Sequence, residues 1–151
     1  MFVCHGNICR SPMAEFIFKR LIKERGIESD FTVASSATST EEIYGGVGNP
    51  VYPPARRELL LHGIDPGDKR AVRLTADDGD SYDMLIAMDS CNVRNMQRIL
   101  DEGAFEKISM LTDYSTPGRD ISDPWYTGDF ATTYRDILRG CIGLLDHLTS
   151  N

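Results

Sequence analysis

A cysteine and an arginine near the start of the chain have the spacing of an anion-binding nucleophile. Cys4 and Arg10 are separated by five residues, and Ser11 follows the arginine directly. Between them, Gly6 allows a tight loop and Asn7 is a residue type that readily holds a left-handed turn. A thiolate can attack an electrophilic centre, and a guanidinium can grip two oxygens of a tetrahedral dianion at once. The pattern therefore predicts a phosphate-type site with a sulfur at its floor.

The flanking sequence predicts that this segment connects a strand to a helix. Phe2–Cys4 is apolar, as in a buried strand, and residues 11–26 show apolar positions on one helical face. The free N–H groups and positive dipole end of a helix start attract anions and favour the ionised form of a nearby thiol. The residues predicted to form the phosphate-binding loop with Cys4 and Arg10 are His5, Gly6, Asn7, Ile8, Cys9 and Ser11.

The second group that such chemistry requires lies near the end of the chain. The leaving oxygen of a phosphoryl group must be protonated by an acid on the side opposite the nucleophile. Asp123 is the candidate, because Pro124 stiffens the backbone after it and two aromatic residues follow, Trp125 and Tyr126. An aspartate before a proline is also a common turn residue, so this motif alone leaves both interpretations open.

The rest of the chain alternates between strand and helix patterns. Further strands are predicted at residues 31–34, 71–74, 84–88 and 108–111, and further helices at residues 53–63, 89–103 and from 129 onward. Strands separated by helices predict one three-layer α/β domain over residues 1–151, with a parallel sheet and helices on both faces. Its ligand crevice is expected beyond the carboxyl ends of the strands, where two long irregular stretches, 35–54 and 112–128, would contribute.

Composition argues against several other classes of protein. The chain has 151 residues, enough for one domain with a buried core. Acidic residues outnumber basic ones 23 to 16, a net charge of -7, which argues against a nucleic-acid or membrane-surface binder. Four dispersed cysteines suit neither a disulfide scaffold nor a zinc site. No signal sequence or membrane-length apolar run is visible, so the prediction is a reduced, cytoplasmic protein. The sequence predicts no cofactor.

Three motifs, taken in order, resemble the signature of the low-molecular-weight protein tyrosine phosphatases. They are the 4–11 loop followed by Pro12-Met13-Ala14-Glu15, then Met88-Asp89 with Asn92, and finally Asp123-Pro124-Trp125-Tyr126. The resemblance covers essentially the whole chain. It implies a flavodoxin-like domain with a four-stranded parallel sheet that hydrolyses phosphotyrosine in proteins or peptides without a metal. Phosphate, sulfate and vanadate would then be inhibitory anions.

The resemblance also implies roles for single residues. Cys4 would be the nucleophile that forms a phosphocysteine, Arg10 the transition-state clamp, and Asp123 the general acid and then base. A hydrogen-bond network behind the loop would involve Asn7, Ser11 and Ser35. Cys9 would form a reversible disulfide with the nucleophile under peroxide, although a small buried residue is the other interpretation of that cysteine.

A pocket that selects tyrosine phosphate over serine phosphate needs depth and aromatic walls. Trp125 and Tyr126 are predicted to form one wall. Ile43 and Tyr44 are the apolar candidates for the other, within the glycine-rich stretch 35–54.

Three positions depart from the family pattern. Only three residues precede Cys4, fewer than is usual, which predicts either a start upstream of Met1 or a short first strand. Lys69 stands where the family often has a histidine. His5 stands where relatives usually carry a smaller or apolar residue, and it is expected to face solvent.

Three alternative functions would use the same loop. Arsenate reductases share the fold but relay oxidation through an additional close pair of cysteines, and Cys91 has no such partner in the sequence. Phosphoarginine phosphatases carry a threonine at the position of Ile8, so this residue favours the tyrosine type. A noncatalytic phosphate-binding module needs neither a thiolate nor an acid, so the presence of both Cys4 and Asp123 favours an enzyme.

Overall fold

Four short parallel strands form the central sheet of the computed structural model, which describes residues 1–150. In chain order the strands are β1 (Phe2–Cys4), β2 (Ser35–Ala37), β3 (Ile43–Tyr44), β4 (Val47–Gly48), β5 (Leu85–Ala87) and β6 (Ile108–Met110). The sheet has the order β2-β1-β5-β6, and all three of its strand pairs are parallel. Strands β3 and β4 pair antiparallel in a separate hairpin.

Six helices surround the sheet. They are α1 (Arg10–Glu24), α2 (Pro53–Leu61), α3 (Ala76–Ser81), α4 (Ser90–Ile99), α5 (Pro124–Thr127) and α6 (Phe130–Thr149). Short 3-10 segments lie at Glu28–Asp30, Glu102–Lys107 and Leu111–Tyr114. Asp89 caps α4 and Asp129 caps α6 through their side chains, as the sequence predicts. In residues 1–150 we find no helix with both the length and the apolar character needed to cross a membrane.

The sheet separates two apolar cores because side chains alternate along each strand. Phe2, Cys4 and Ile86 point into the core shared with α1, α2 and α6. Val3 and Leu85 point into the opposite core, which contains apolar residues of α4. The three-layer α/β architecture with a four-stranded parallel sheet is therefore confirmed.

Two of the predicted strands are wrong. The second strand is Ser35–Ala37 and not 31–34, because Phe31 and Val33 pack their side chains against the α1 core while pairing with β1 begins at Ser35. Residues 71–74 form only an isolated bridge between Arg73 and Ala37. Apolar alternation indicates burial at both places, but hydrogen-bond partners decide which buried segment is a strand.

Candidate active site

The turn from β1 into α1 forms a closed loop at the carboxyl edge of the sheet. Cys4 is the last residue of β1 and Arg10 the first of α1. Asn7 adopts the left-handed conformation, with φ of 58°, that the sequence predicts for it. A cavity of about 130 Å³ lies above this loop. Its lining residues are Cys4, His5, Gly6, Asn7, Ile8, Cys9, Arg10, Glu41, Glu42, Asp123, Trp125 and Tyr126.

The sulfur of Cys4 is buried at the floor and surrounded by polar groups. The backbone N–H of Asn7 donates to this sulfur at 3.3 Å. The hydroxyl of Ser11 lies 3.0 Å from the sulfur. The sulfur is thus part of a polar cradle and not simply packed among aliphatic carbons.

The side-chain amide of Asn7 crosslinks the loop from behind. Its nitrogen donates to the hydroxyl oxygens of Ser11 at 2.8 Å and Ser35 at 2.9 Å. Its oxygen accepts the backbone N–H of Val72 at 3.0 Å, which determines the orientation of the amide. The Asn7, Ser11 and Ser35 side chains that the family resemblance groups into a network are therefore in contact.

Which group donates each of these hydrogen bonds follows from the chemistry of the groups that it joins. The Ser35 hydroxyl donates to the carboxylate of Glu15 at 2.6 Å, because an ionised carboxylate can only accept. Ser11 accepts from Asn7 and keeps its own hydrogen to donate. The sulfur of Cys4 at 3.0 Å is a nearer acceptor than the carbonyl of Ser36 at 3.4 Å. The network thus favours donation of the Ser11 hydroxyl to a Cys4 thiolate.

Two lysines flank the carboxylate of Glu15 at the far end of this network. Lys19 bonds it at 2.6 Å, and Lys69 lies 3.8 Å from it while donating to the backbone carbonyl of Ser35 at 3.1 Å. Burial lowers the pKa of Lys69 below its usual value of 10.5, although the negative charge of Glu15 opposes that shift. Lys69 therefore occupies the region behind the loop where the family often has a histidine.

The guanidinium of Arg10 is fixed from three sides. One nitrogen, Nη1, donates to Asp89 at 2.7 Å and to the carbonyl of Ile121 at 2.8 Å. The other, Nη2, lies 3.4 Å from the carboxylate of Asp123. Burial alone would lower the pKa of Arg10, but the negative charges of Cys4, Asp89 and Asp123 raise it overall, so the guanidinium is charged.

Asp123 lies across the cavity from the loop, at the start of α5. One carboxylate oxygen accepts the backbone N–H of Trp125 at 3.1 Å, and the side chain is 28% exposed. The N–H of Ile121 donates to the carbonyl of Met88 at the end of β5, which ties this segment to the sheet. The nucleophile, clamp and acid candidates therefore surround one cavity, although they come from opposite ends of the chain.

Two of the four residues predicted to form substrate walls line the cavity. Trp125 and Tyr126 line the cavity and are well exposed to a ligand. Ile43 is half-buried against the core and Tyr44 is exposed, and neither lines the cavity. The described residues that line the opposite side include Glu41 and Glu42 instead, both of which sequence analysis missed.

His5 belongs to this acidic side of the cavity. Its ring nitrogen lies 2.9 Å from the carboxylate of Glu41, and both side chains are exposed. Glu42 bonds the side chain of Asn49 at 2.7 Å. The exposed histidine thus pairs with a carboxylate at the mouth of the cavity.

Cys9 is buried beside the nucleophile. Burial raises the pKa of Cys9, and the negative charges of Cys4 and Asp123 raise it further, so this group is a thiol. Cys4 and Cys9 are both free in the structure. A reversible disulfide between them stays a prediction.

Comparison with known proteins gives the same class as the fold and the site. The family described as low molecular weight phosphotyrosine protein phosphatase matches residues 1–151. A Schizosaccharomyces pombe protein of that name is 37% identical over 131 residues, which are 85% of this chain and 81% of the relative. The chain belongs to the low molecular weight phosphotyrosine protein phosphatase family, and it is thereby an enzyme of the protein tyrosine phosphatase class.

Solved structures show the same architecture. The crystal structure of YfkJ from Bacillus subtilis has a TM-score of 0.90 and 34% identity, covering 97% of this chain and 91% of that one. The crystal structure of DARP, a drosophila arginine phosphatase, has a TM-score of 0.86 and 31% identity, covering 99% of this chain and 97% of that one.

Sequence analysis gave no role in the site to Glu15, which it named only as part of a motif, and it did not name Tyr52. The sequence does contain a signal for Glu15. It places a carboxylate on the buried face of α1, four residues after Ser11, and such a carboxylate requires a buried partner. Tyr52 had no such signal, because its contacts join segments that are distant in the sequence.

Proposed function

We propose that this protein hydrolyses phosphotyrosine in proteins in two steps, with a phosphocysteine formed on Cys4. The observation that carries the proposal is the convergence of the Cys4 sulfur, the Arg10 guanidinium and the Asp123 carboxyl on one cavity. A thiolate, a fixed cation and an acid are the groups that this reaction requires on opposite sides of a phosphorus atom.

In the first step the Cys4 thiolate attacks phosphorus and the bond from phosphorus to the tyrosine oxygen breaks. Protonated Asp123 gives its proton to that oxygen, so neutral tyrosine leaves. The loop N–H groups and Arg10 bind the other phosphoryl oxygens, whose charge spreads in the transition state. Because Arg10 is already fixed by Asp89 and Ile121, little reorganisation is needed when the phosphoryl group arrives.

In the second step water attacks the phosphocysteine. The Asp123 carboxylate, now unprotonated, takes a proton from that water, and the bond from phosphorus to sulfur breaks. The thiolate that leaves is stabilised by the hydroxyl of Ser11 and the N–H of Asn7. Inorganic phosphate is released, and both Cys4 and Asp123 return to their starting protonation states.

Phosphoarginine is the second candidate substrate, because a drosophila arginine phosphatase is among the structural relatives. The position that separates the two types in the family resemblance is Ile8, which is buried and lines the cavity. An isoleucine there presents no hydroxyl to a guanidino leaving group. The ratio of kcat/KM for phosphotyrosine and phosphoarginine peptides decides between them, and Ile8→Thr should shift that ratio toward phosphoarginine. Arsenate reduction has no comparable support, and a cytoplasmic location stays a prediction.

The direct test is turnover of p-nitrophenyl phosphate in the presence of a chelator. We expect Cys4→Ser to abolish turnover while vanadate still binds, and Cys91→Ser, which changes an exposed cysteine outside the cavity, to leave it intact. Rate should be bell-shaped in pH, because the active form needs Cys4 ionised and Asp123 protonated. Turnover by Cys4→Ser at the normal rate would disprove the nucleophile assignment.

A further inference from the structure

Tyr52 connects the two halves of the active site without lining the cavity. It is the residue before α2, and its backbone N–H donates to the carbonyl of Ile8 in the phosphate loop at 2.9 Å. Its ring packs against Trp125, with ring centroids 4.8 Å apart and an interplanar angle of 49°. A second aromatic contact joins it to Phe130 at the start of α6, at 6.1 Å. One half-buried side chain therefore lies between the loop of Cys4 and the segment of Asp123.

The position of Trp125 is coupled to that of the acid. Only Pro124 separates Trp125 from Asp123, and the fixed φ of proline makes this connection stiff. The backbone N–H of Trp125 also donates to the Asp123 carboxylate at 3.1 Å. A displacement of the Trp125 ring would therefore move the acid as well.

The hydrogen bonds that join residues 120–127 to other parts of the fold lie before the acid or involve its charge. Ile121 is held by the carbonyl of Met88 and by Arg10, but these bonds precede Asp123 in the chain. The direct contact between Arg10 and Asp123, at 3.4 Å, is an ion pair. It weakens when Asp123 is protonated and Arg10 turns its free nitrogen to a phosphoryl group. The aromatic contact does not depend on either charge.

We propose that Tyr52 is a positioning residue that holds Asp123 at the height of the leaving oxygen. Its ring packs against Trp125 and so fixes the segment that carries Asp123. Its backbone N–H donates to the carbonyl of Ile8 and so keeps Tyr52 in place beside the phosphate loop. This inference rests on the proposed role of Asp123 as general acid. The contact requires an aromatic ring and not a hydroxyl, so phenylalanine should replace tyrosine at this position.

The test compares substrates whose leaving groups need the acid to different degrees. In Tyr52→Leu we expect kcat/KM for phenyl phosphate, whose phenolate is a poor leaving group, to fall about tenfold, since small displacements of a catalytic group cost factors of this order. With 2,4-dinitrophenyl phosphate, whose phenolate leaves without a proton, kcat/KM should change less than about twofold by the same reasoning. We compare kcat/KM because it reports the first step, in which Asp123 is the acid, and not the hydrolysis of the phosphocysteine, in which Asp123 is the base for every substrate. Tyr52→Phe should match the wild type on both substrates. Tyr82→Leu removes an aromatic ring of similar burial from the opposite core, and serves as the control for general destabilisation.

Three results would overturn the inference. The first is an equal loss on both substrates together with weaker vanadate binding, which would mean that Tyr52 acts through the phosphate loop. The second is no loss on phenyl phosphate. The third is a loss from Tyr52→Leu that persists undiminished in an Asp123→Asn background, because two changes that act through one proton transfer cannot add.

The same measurements separate this inference from the proposed function. If Asp123→Asn alone shows the leaving-group dependence and Tyr52→Leu does not, only the role of Tyr52 is wrong. If Asp123→Asn itself shows no such dependence, Asp123 is not the acid, and both proposals fail.

Discussion

The proposed nucleophile, Cys4, is linked to the carboxylate of Glu15 through the side chains of Ser11, Asn7 and Ser35. An ionised Glu15 can only accept, so the Ser35 hydroxyl donates to it and accepts from the amide of Asn7. The same amide donates to Ser11, which leaves the Ser11 hydroxyl free to donate to Cys4. Glu15 is buried, and a buried carboxylate needs cations nearby to remain charged. Lys69 and Lys19 supply them, so the lysine that departs from the family pattern preserves the polarity of the network.

The contribution of Lys69 to this hydrogen-bond network can be tested with the substitution Lys69→Met. We expect alkylation of Cys4 by neutral iodoacetamide near pH 5 to slow by about three- to tenfold, because a cation that stabilises both Glu15 and the thiolate is lost. Lys69→Arg should retain the wild-type rate. Burial lowers the pKa of Lys69, and its charge is present only below that pKa. The difference between wild type and Lys69→Met should therefore be largest at acidic pH, where Lys69 is charged and where the rate of alkylation still depends on how much of Cys4 is thiolate.

The matched control for this prediction is Lys19→Met. Lys19 contacts the same carboxylate at 2.6 Å, but its side chain is 43% exposed, so water screens its charge. We expect less than about a twofold change, as for other exposed ion pairs. Equal slowing by the two methionine variants, or equal slowing by Lys69→Met and Lys69→Arg, would contradict the role given to Lys69.

The residues predictable from sequence are those whose chemistry restricts their type. Cys4 and Arg10 share one loop, so their spacing alone brings them together. Asp123 could be named as a candidate because the predicted reaction needs an acid and few positions near aromatic residues provide one, and the structure places it at the same cavity as Cys4 and Arg10. Tyr52 and Glu41 lie near the site only because of how the chain folds. No spacing in the sequence reveals such contacts between distant segments.

At the scale of elements, the segment leading to the acid depends on close packing by α6. The 3-10 segment Leu111–Tyr114 crosses this helix at two glycines. A Cβ added to Gly143 would lie 1.9 Å from the carbonyl oxygen of Tyr114, and one added to Gly140 would lie 2.5 Å from Leu111. The backbones approach this closely only because α6 has no side chains there.

Gly143→Ala should therefore destabilise the protein although alanine favours helices. The helix propensity gain is about 1 kcal/mol, whereas forcing two closely packed backbones apart costs about 1–3 kcal/mol or more. We expect a net decrease in the free energy of unfolding, measured from the midpoint of urea denaturation. Gly103→Ala is the control, because a Cβ at Gly103 has no neighbour among the described residues within 4 Å. An unchanged or higher midpoint for Gly143→Ala would refute the packing argument.

Elements were predictable where one physical signal dominates. The apolar run around β5 predicts a central strand correctly, since both of its faces are buried. The β3–β4 hairpin was missed although its signal was present. Gly45 and Gly46 both have positive φ, which the tight turn between Ile43–Tyr44 and Val47–Gly48 requires. Residues 31–34 and 71–74 were wrongly predicted to be strands. A segment that packs on the core without pairing in a sheet shows the same apolar pattern as a strand.

At the scale of the whole molecule, charge is distributed unevenly around the cavity. The net charge of the chain is -7, and the carboxylates of Glu41 and Glu42 are part of the cavity lining. Arg10 is 3% exposed and lines the same cavity. In the proposed binding mode, a phosphoryl group contacts Arg10 and the loop N–H groups, and the parts of the substrate around it lie near Glu41 and Glu42.

This arrangement predicts a preference for phosphotyrosine peptides with lysine or arginine beside the tyrosine. We expect kcat/KM to favour a lysine-flanked over a glutamate-flanked peptide, and the ratio to decrease at high salt because exposed charges are screened. Glu41→Gln should reduce this ratio about two- to fivefold, the range for one exposed charge pair. Glu102→Gln changes an exposed carboxylate outside the cavity lining and should leave the ratio unchanged. If both variants lower the ratio equally, the net charge of the molecule and not the mouth of the cavity selects the substrate, since a long-range field does not distinguish one surface carboxylate from another.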